Sequence, residues 1–522
     1  MMSPDAKPLE IWGGLECSLN RTGSAYRDQT RLSGHHDRPE DIDLFAALGL
    51  KALRYPVLWE RIETRRGRLD WSWTDERLAL IRNKGMRVVA GLLHHGSGPP
   101  WTDILDTEFA PQLARFAREA ARRYPWIRDW TPVNEPLTTA RFSALYGLWH
   151  PHASSEKSFW TALLNQIDAI RLSMREIRRV IPDARLIQTE DFGHTYATPP
   201  CQHQADFENQ RRLMTWDLLC GHVGTEHPLH SHLCGLGLKE RLSAIASDPC
   251  RLVIGLNHYL TSDRLLDHRL DHYPPALHGG NGGMVYADVE AVRVVDPPPP
   301  GWRWHLDRLW KRYGLPIVVT ECHLGCTREE QLRWLNECWT AAISARASGA
   351  LIEAVTVWNL LGGYDWNSLL TRPDGVYESG VFDLSEGSPR PTALAALVRN
   401  LAYDGAGDIP LARETGWWRR PHRLLYPPHQ ARLIAAPVPS APNRHVIFCA
   451  SDALTDDLEQ ECARRGLQLA RSLSRNADQP WTYTTSAAPT ARAMDLLIDR
   501  WLVDPVPMPA TGHRDTDGLR RI

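Results

Sequence analysis

The chain has 522 residues, 43% of them apolar and 23% charged, which is enough for one large domain of several hundred residues and a smaller one. Its net charge is −2, and no block of Lys/Arg and no basic-aromatic interleaving occurs. That balance excludes nucleic acid and anionic membrane surfaces as obvious partners and leaves a neutral small molecule.

The first ten residues lack the apolar stretch of a secretory signal, and no later run reaches the length that spans a bilayer, so a cytoplasmic location is expected. The ten cysteines show no CxxC spacing and read as reduced, mostly buried thiols. From the N-terminus, short apolar runs alternate with longer amphipathic ones. The predicted strands are Leu9–Gly14, Ala52–Val57, Val88–Leu93, Asp129–Val133, Arg185–Thr189, Leu252–Asn257, Ile317–Thr320 and Ala354–Leu360. Between them Phe109, Leu113, Phe116 and Ala120 recur at helical spacing, as do Phe159, Leu163, Ile167, Ile170, Met174 and Ile177. Eight strands with helical crossovers most simply close into a (β/α)8 TIM barrel, an α/β fold spanning residues 1–404.

Cys220, His222, His227, His230, His232 and Cys234 form a His-rich run whose spacing matches no common zinc pattern. Residues 265–302 carry Pro274-Pro275 and Pro297 to Pro300, and read as a long loop over the active face. Residues 405–443, dense in Pro, Gly and Arg, read as a linker or a segment draped over the barrel. A small α/β appendage is expected over 444–522, where Val446–Ala450 has the form of a strand followed by Leu454, Leu458 and Cys462 at helical spacing. With Ala493–Asp499, this stretch resembles a shortened remnant of a sugar-nucleotide reductase of the dTDP-4-dehydrorhamnose reductase kind. No glycine lies between Phe448 and Gly466, and Asp452, Asp456 and Asp457 stand where a pyrophosphate would meet the helix, so no cofactor is expected.

The chemistry concentrates at two strand ends. Thr131-Pro132-Val133-Asn134 runs into Glu135-Pro136, and Ile317 to Thr320 runs into Glu321. Pro136 has no N–H to continue a ladder, so Glu135 stands at a strand's C-terminal tip, where a parallel barrel builds its active site. Two carboxyls flanking one bond suit glycoside cleavage: one protonates the leaving oxygen, and the other attacks the anomeric carbon. The protonated partner needs a raised pKa, which burial and the neighbouring charge supply.

At these residues the chain resembles family 1 glycoside hydrolases, the β-glucosidase group, from about Trp12 to Leu384. The resemblance implies that Glu135 is the acid/base, that Asn134 binds the sugar 2-hydroxyl and that Glu321 is the nucleophile, although Cys322-His323 stands where Asn-Gly is usual. Leu53 to Ile62 resembles the segment whose arginine, here Arg54, lies beneath the catalytic carboxylates. Ile254 to Tyr259 resembles the segment supplying Asn257 and a nucleophile-orienting Tyr259. Val357 to Trp366 resembles the last-strand segment, with Trp358 and Trp366 as sugar platforms and Asp365 gripping the 4- and 6-hydroxyls. Three departures fall in the sugar pocket: Asn20 replaces glutamine, Asp365 replaces glutamate, and Gly96 follows His95 where tryptophan is usual, so a wider pocket is expected. A carboxylate at Asp365 disfavours 6-phosphosugars and favours a neutral β-glycoside or oligosaccharide as the small-molecule partner. Two other readings stay open at this point: a barrel that binds saccharide without turnover, and a zinc-dependent hydrolase at the His-rich run. Transfer to an acceptor other than water would use the same covalent intermediate as hydrolysis.

Overall fold

The computed structural model describes residues 7–407 and 409–430, together with three strands at Ile447–Cys449, Leu469–Arg471 and Trp481–Thr485. Its centre is a closed barrel of eight parallel strands. They are β1 (Glu10–Gly14), β2 (Ala52–Pro56), β3 (Arg87–Gly91), β4 (Asp129–Thr131), β5 (Arg185–Asp191), β6 (Leu252–His258), β7 (Ile317–Cys322) and β8 (Ile352–Val357). All eight predicted strands are present, and β1 closes the ring by pairing with both β2 and β8. Gly14, the last residue of β1, has no room for a side chain, since a Cβ there would lie 2.4 Å from the Trp358 ring. The barrel interior holds a layer of Trp12, Ala52, Val89, Ile187, Val253, Val318 and Ala354.

The helices include α1 (Ser72–Asn83), α2 (Phe109–Arg123), α3 (Pro136–Ala140), α4 (Glu156–Val180), α5 (Trp302–Tyr313), α6 (Arg328–Ala347) and α7 (Ala393–Tyr403). The predicted apolar stripes of α2 and α4 are buried throughout, as a helix covering a sheet requires. No helix among the described residues is long and apolar enough to cross a membrane.

Residues 265–302 are not the expected structureless loop. Arg264–Asp267, His278–Gly280 and Val285–Glu290 join Thr195–Ala197 in a four-stranded sheet. Tyr196, Leu265, Tyr273, Ala287, Val289, Val294 and Val295 give it a small core of its own. Prolines and glycines cut these strands too short for a period-2 pattern to show.

Residues 409–430 run as three short 3-10 turns against the barrel. The Arg333 guanidinium donates to Leu411 O, the Trp418 indole to Glu337, and Arg423 to Val292 O and Asp296. The segment ends by pairing His429–Gln430 with Val295–Asp296. The three C-terminal strands form an antiparallel sheet. A dinucleotide-binding unit pairs its strands in parallel around a crossover helix, so the expected reductase remnant finds no support; its helix, at Leu454 to Cys462, and the Ala493–Asp499 stretch lie outside the described residues.

Candidate active site

Glu135 lies four residues beyond the end of β4, and Glu321 lies in β7, on the rim formed by the strands' C-terminal ends. Both are buried, at 4% and 2% exposure. Pro136 starts α3, and Glu135 just ahead of it holds a left-handed backbone, with φ of 43°. His95 and Asp365 share that unusual backbone, with φ of 53° and 60°. Three non-glycine residues held this way on one rim are the kind of local strain that the surrounding structure must enforce.

Arg54, on β2, forks between the two segments that bear the glutamates. Its Nη1 donates to Thr320 O at 2.6 Å and Glu321 Oε1 at 2.9 Å, while Nη2 donates to Asn134 Oδ1 at 2.9 Å. Its guanidinium also lies over the Trp358 ring, 4.9 Å from the centroid. The Tyr259 hydroxyl donates to Glu321 Oε2. Asn257 joins the two sides: its Nδ2 donates to Glu135 Oε1 at 2.6 Å, and its Oδ1 accepts from Thr320 Oγ1 at 2.6 Å. Thr189 Oγ1 donates to Asn134 Oδ1, leaving Asn134 Nδ2 within 3.4 Å of His94 and His95.

The electrostatics differ at the two glutamates. Burial raises the Glu135 pKa well above the usual carboxyl range, and the charges of Glu321, Asp191 and Glu190 raise it further. Glu321 is also raised by burial, but there Arg54 and the Tyr259 hydroxyl pull the other way. One carboxyl is thus biased towards holding its proton and the other is braced as an anion. His95, 3.9 Å from Glu135, is pushed down to about 3 by burial and by Arg54, and so is a neutral hydrogen-bonding group.

Trp366 meets His95 edge-on at 5.5 Å, and Trp358 stacks on His94 at 5.4 Å. Asn20 Nδ2 donates to His95 O at 3.1 Å. Asp365 is shared between Arg27, at 3.4 Å, and the Val376 N–H. All eleven sequence-predicted residues are thus linked, directly or through one neighbour, around a single rim. The space beside Gly96 is not left open as expected: a Cβ there would lie 1.9 Å from Glu60 Oε1, so a buried carboxyl occupies it.

Sequence reasoning missed four acidic groups. Glu16 and Glu60 are pushed up to about 7 and about 8 by burial. Glu190 accepts from the Leu137 and Thr138 N–H groups at the start of α3, and Asp191 accepts from Ser262. The signal available was position, since each follows or ends a barrel strand or sits on the turn just after one.

The His-rich run does not converge on a metal. His227 faces Asp217, His230 faces Val223 O, His232 faces Glu156, and His222 stacks on Tyr313. Among the described residues the one group able to surround an ion is His258, Asp263 and His305, where Asp263 already accepts from His305 and the His194 N–H.

The architecture has solved counterparts. The family 1 β-glucosidase from Thermotoga maritima superposes with a TM-score of 0.61 at 17% identity, covering 77% of this chain and all (100%) of that one. The fold is the β-glucosidase barrel. Among curated proteins, the barrel is similar to a phospho-cellobiase from Klebsiella oxytoca, 22% identical over 392 residues, covering 69% of this chain and 82% of the relative. It is also similar to β-glucosidase A from Thermotoga maritima, 22% identical over 389 residues and covering 66% and 81% of the two chains. No protein-family model matches the chain.

Proposed function

We propose that the chain is a retaining β-glycosidase acting on a neutral sugar. The observation that carries this reading is the asymmetric pair: Glu135, raised by burial and by the Glu321 charge and bonded by Asn257, and Glu321, held by Arg54 and Tyr259. Glu135 gives its proton to the glycosidic oxygen as Glu321 attacks the anomeric carbon, so the leaving alcohol departs neutral and a glycosyl ester forms on Glu321. Loss of the Glu321 charge then lowers the Glu135 pKa, and Glu135 takes a proton from water as it attacks the ester. Asn134 is oriented by Arg54 and Thr189 to reach the 2-hydroxyl, and the Trp358 and Trp366 faces carry the ring.

Likeness to both phospho-cellobiase and β-glucosidase A leaves the charge of the sugar to the pocket. Arg27, the cation near the Asp365 end, is already paired with that carboxylate, which favours hydroxyls over phosphate. The test is a 2-deoxy-2-fluoro aryl β-glycoside followed by mass spectrometry of peptides. The expected result is a single label on Glu321, no turnover by Glu321→Gln, and partial azide rescue of Glu135→Ala. Labelling elsewhere overturns the nucleophile, and sugar binding with no label overturns the hydrolase in favour of a saccharide-binding barrel.

A further inference from the structure

Glu16 lies two residues beyond β1, on the same barrel rim as Glu135 and Glu321. Its Oε1 accepts from Ser18 N at 2.9 Å and Ser18 Oγ at 2.6 Å, and its Oε2 accepts from Trp366 Nε1 at 3.1 Å. Trp366 in turn meets His95, which stands beside Glu135, and the Glu321 charge acts on Glu16 directly. The side chain is therefore joined through Trp366 and His95 to Glu135.

Hydrogen-bond accounting leaves it unfinished. A carboxylate has about four acceptor sites; three are filled here, and the open one is on Oε2, next to the Trp366 indole. Among the acids of the rim, Glu321 has Arg54, Asp365 has Arg27 and Asp191 has Arg212, whereas Glu16, like Glu60 and Glu190, has no ion pair among the described residues. Burying a carboxyl at 6% exposure without a counter-ion costs stability. Ser18 takes up Oε1 and the Trp366 indole takes one site of Oε2, so the second site of Oε2 has no protein donor.

We propose that Glu16 is a specificity-determining residue of the sugar pocket: the open site on Oε2 accepts the hydrogen of a free ring hydroxyl, selecting uncharged glycosides that carry it and rejecting phosphorylated or carboxylated ones. This rests on the glycosidase reading. The hydroxyl completes the acceptor set of Glu16 at the point where the ring already leans on Trp366. An anionic substituent brought there meets Glu16 and Asp365 together, with Arg27 already engaged.

The test is a substrate-deletion series: a 4-nitrophenyl β-glycoside that the enzyme accepts, each of its monodeoxy analogues, and its 6-phosphate, measured with wild type, Glu16→Gln and Glu16→Asp. One monodeoxy analogue is expected to lose roughly tenfold to a hundredfold in kcat/KM on wild type, the scale of a hydrogen bond to a charged group. That gap collapses in Glu16→Gln and narrows in Glu16→Asp, while the 6-phosphate gains on the parent. A merely structural Glu16 would instead lower every glycoside by the same factor and leave the gap intact, which overturns the proposal. If wild type turns over no glycoside, the hydrolase reading falls. The same comparison is then made with the dissociation constants of the parent sugar and its deoxy analogues by calorimetry, and equal binding across the series removes the Glu16 role as well.

Discussion

Arg54 is the residue on which the geometry of both glutamates depends. One planar guanidinium bonds Glu321, the Thr320 carbonyl and Asn134, and also rests on Trp358. A lysine keeps the charge but not the fork. Arg54→Lys is therefore expected to lower kcat/KM on the order of 10²-fold, with the melting temperature changing little, as thermal denaturation would check. The same pair sets the pH response. On the proposed mechanism, turnover requires Glu135 protonated and Glu321 ionised, so kcat/KM should fall on the acid side as Glu321 takes a proton and on the alkaline side as Glu135 loses one. Because burial and the Glu321 charge raise Glu135, the alkaline limb lies above the ordinary carboxyl range. With 2,4-dinitrophenyl glycosides, which leave without protonation, Glu135→Gln should abolish that limb; persistence of the limb would place the acid elsewhere. At this scale the sequence was informative wherever a residue sits in a motif beside a strand end, as Glu135, Arg54 and Tyr259 do. Glu16 escaped because a lone glutamate reads as solvated until burial is known, and Glu60 because it lies in the Leu53 to Ile62 segment, where only Arg54 was given a role.

Among the elements, the short helix α3 carries the most consequence, because its first turn sets the backbone of Glu135. Glu190, from the end of β5, accepts from Leu137 N, Thr138 N, Thr138 Oγ1 and Thr215 Oγ1. Removing it leaves several buried donors unmet. Glu190→Ala is expected to cost ~2–4 kcal/mol in stability, read by chemical denaturation, and to lower turnover more than Glu190→Gln, which keeps one acceptor. An alanine variant as stable and active as wild type would show that α3 is held by packing alone. The barrel strands were legible because most carry a buried, largely apolar run, and α2 and α4 because their stripes are long. The sheet around Arg264–Asp267 was not, since its strands are short, broken by Pro and Gly, and paired with Thr195–Ala197 far along the chain.

For the whole molecule, burial of acids on the rim ties folding to pH. Carboxyls whose folded pKa is raised contribute fully below the unfolded value of 4.5, and the contribution fades as pH rises through about 7 for Glu16 and about 8 for Glu60. Folded protein binds the extra protons, so stability should decline from pH 5 to pH 8, by ~1–3 kcal/mol for Glu60. Glu60→Gln, which can still accept from Gly98 N–H, should flatten that decline in a pH series of melting curves. A decline of unchanged slope would assign it to other groups.

The pairing of His429–Gln430 with Val295–Asp296 reaches across more than a hundred residues and has a consequence for biosynthesis. Trp418, 2% exposed, packs edge-on against Trp334 of α6, and Arg419 reaches Pro299 and Pro300 O ahead of α5. While the ribosome is still translating the stretch after β8, those surfaces have no cover. A nascent polypeptide can thus close its ring of strands early, yet it leaves this tryptophan cleft open to chaperones until residue 430 has cleared the exit tunnel.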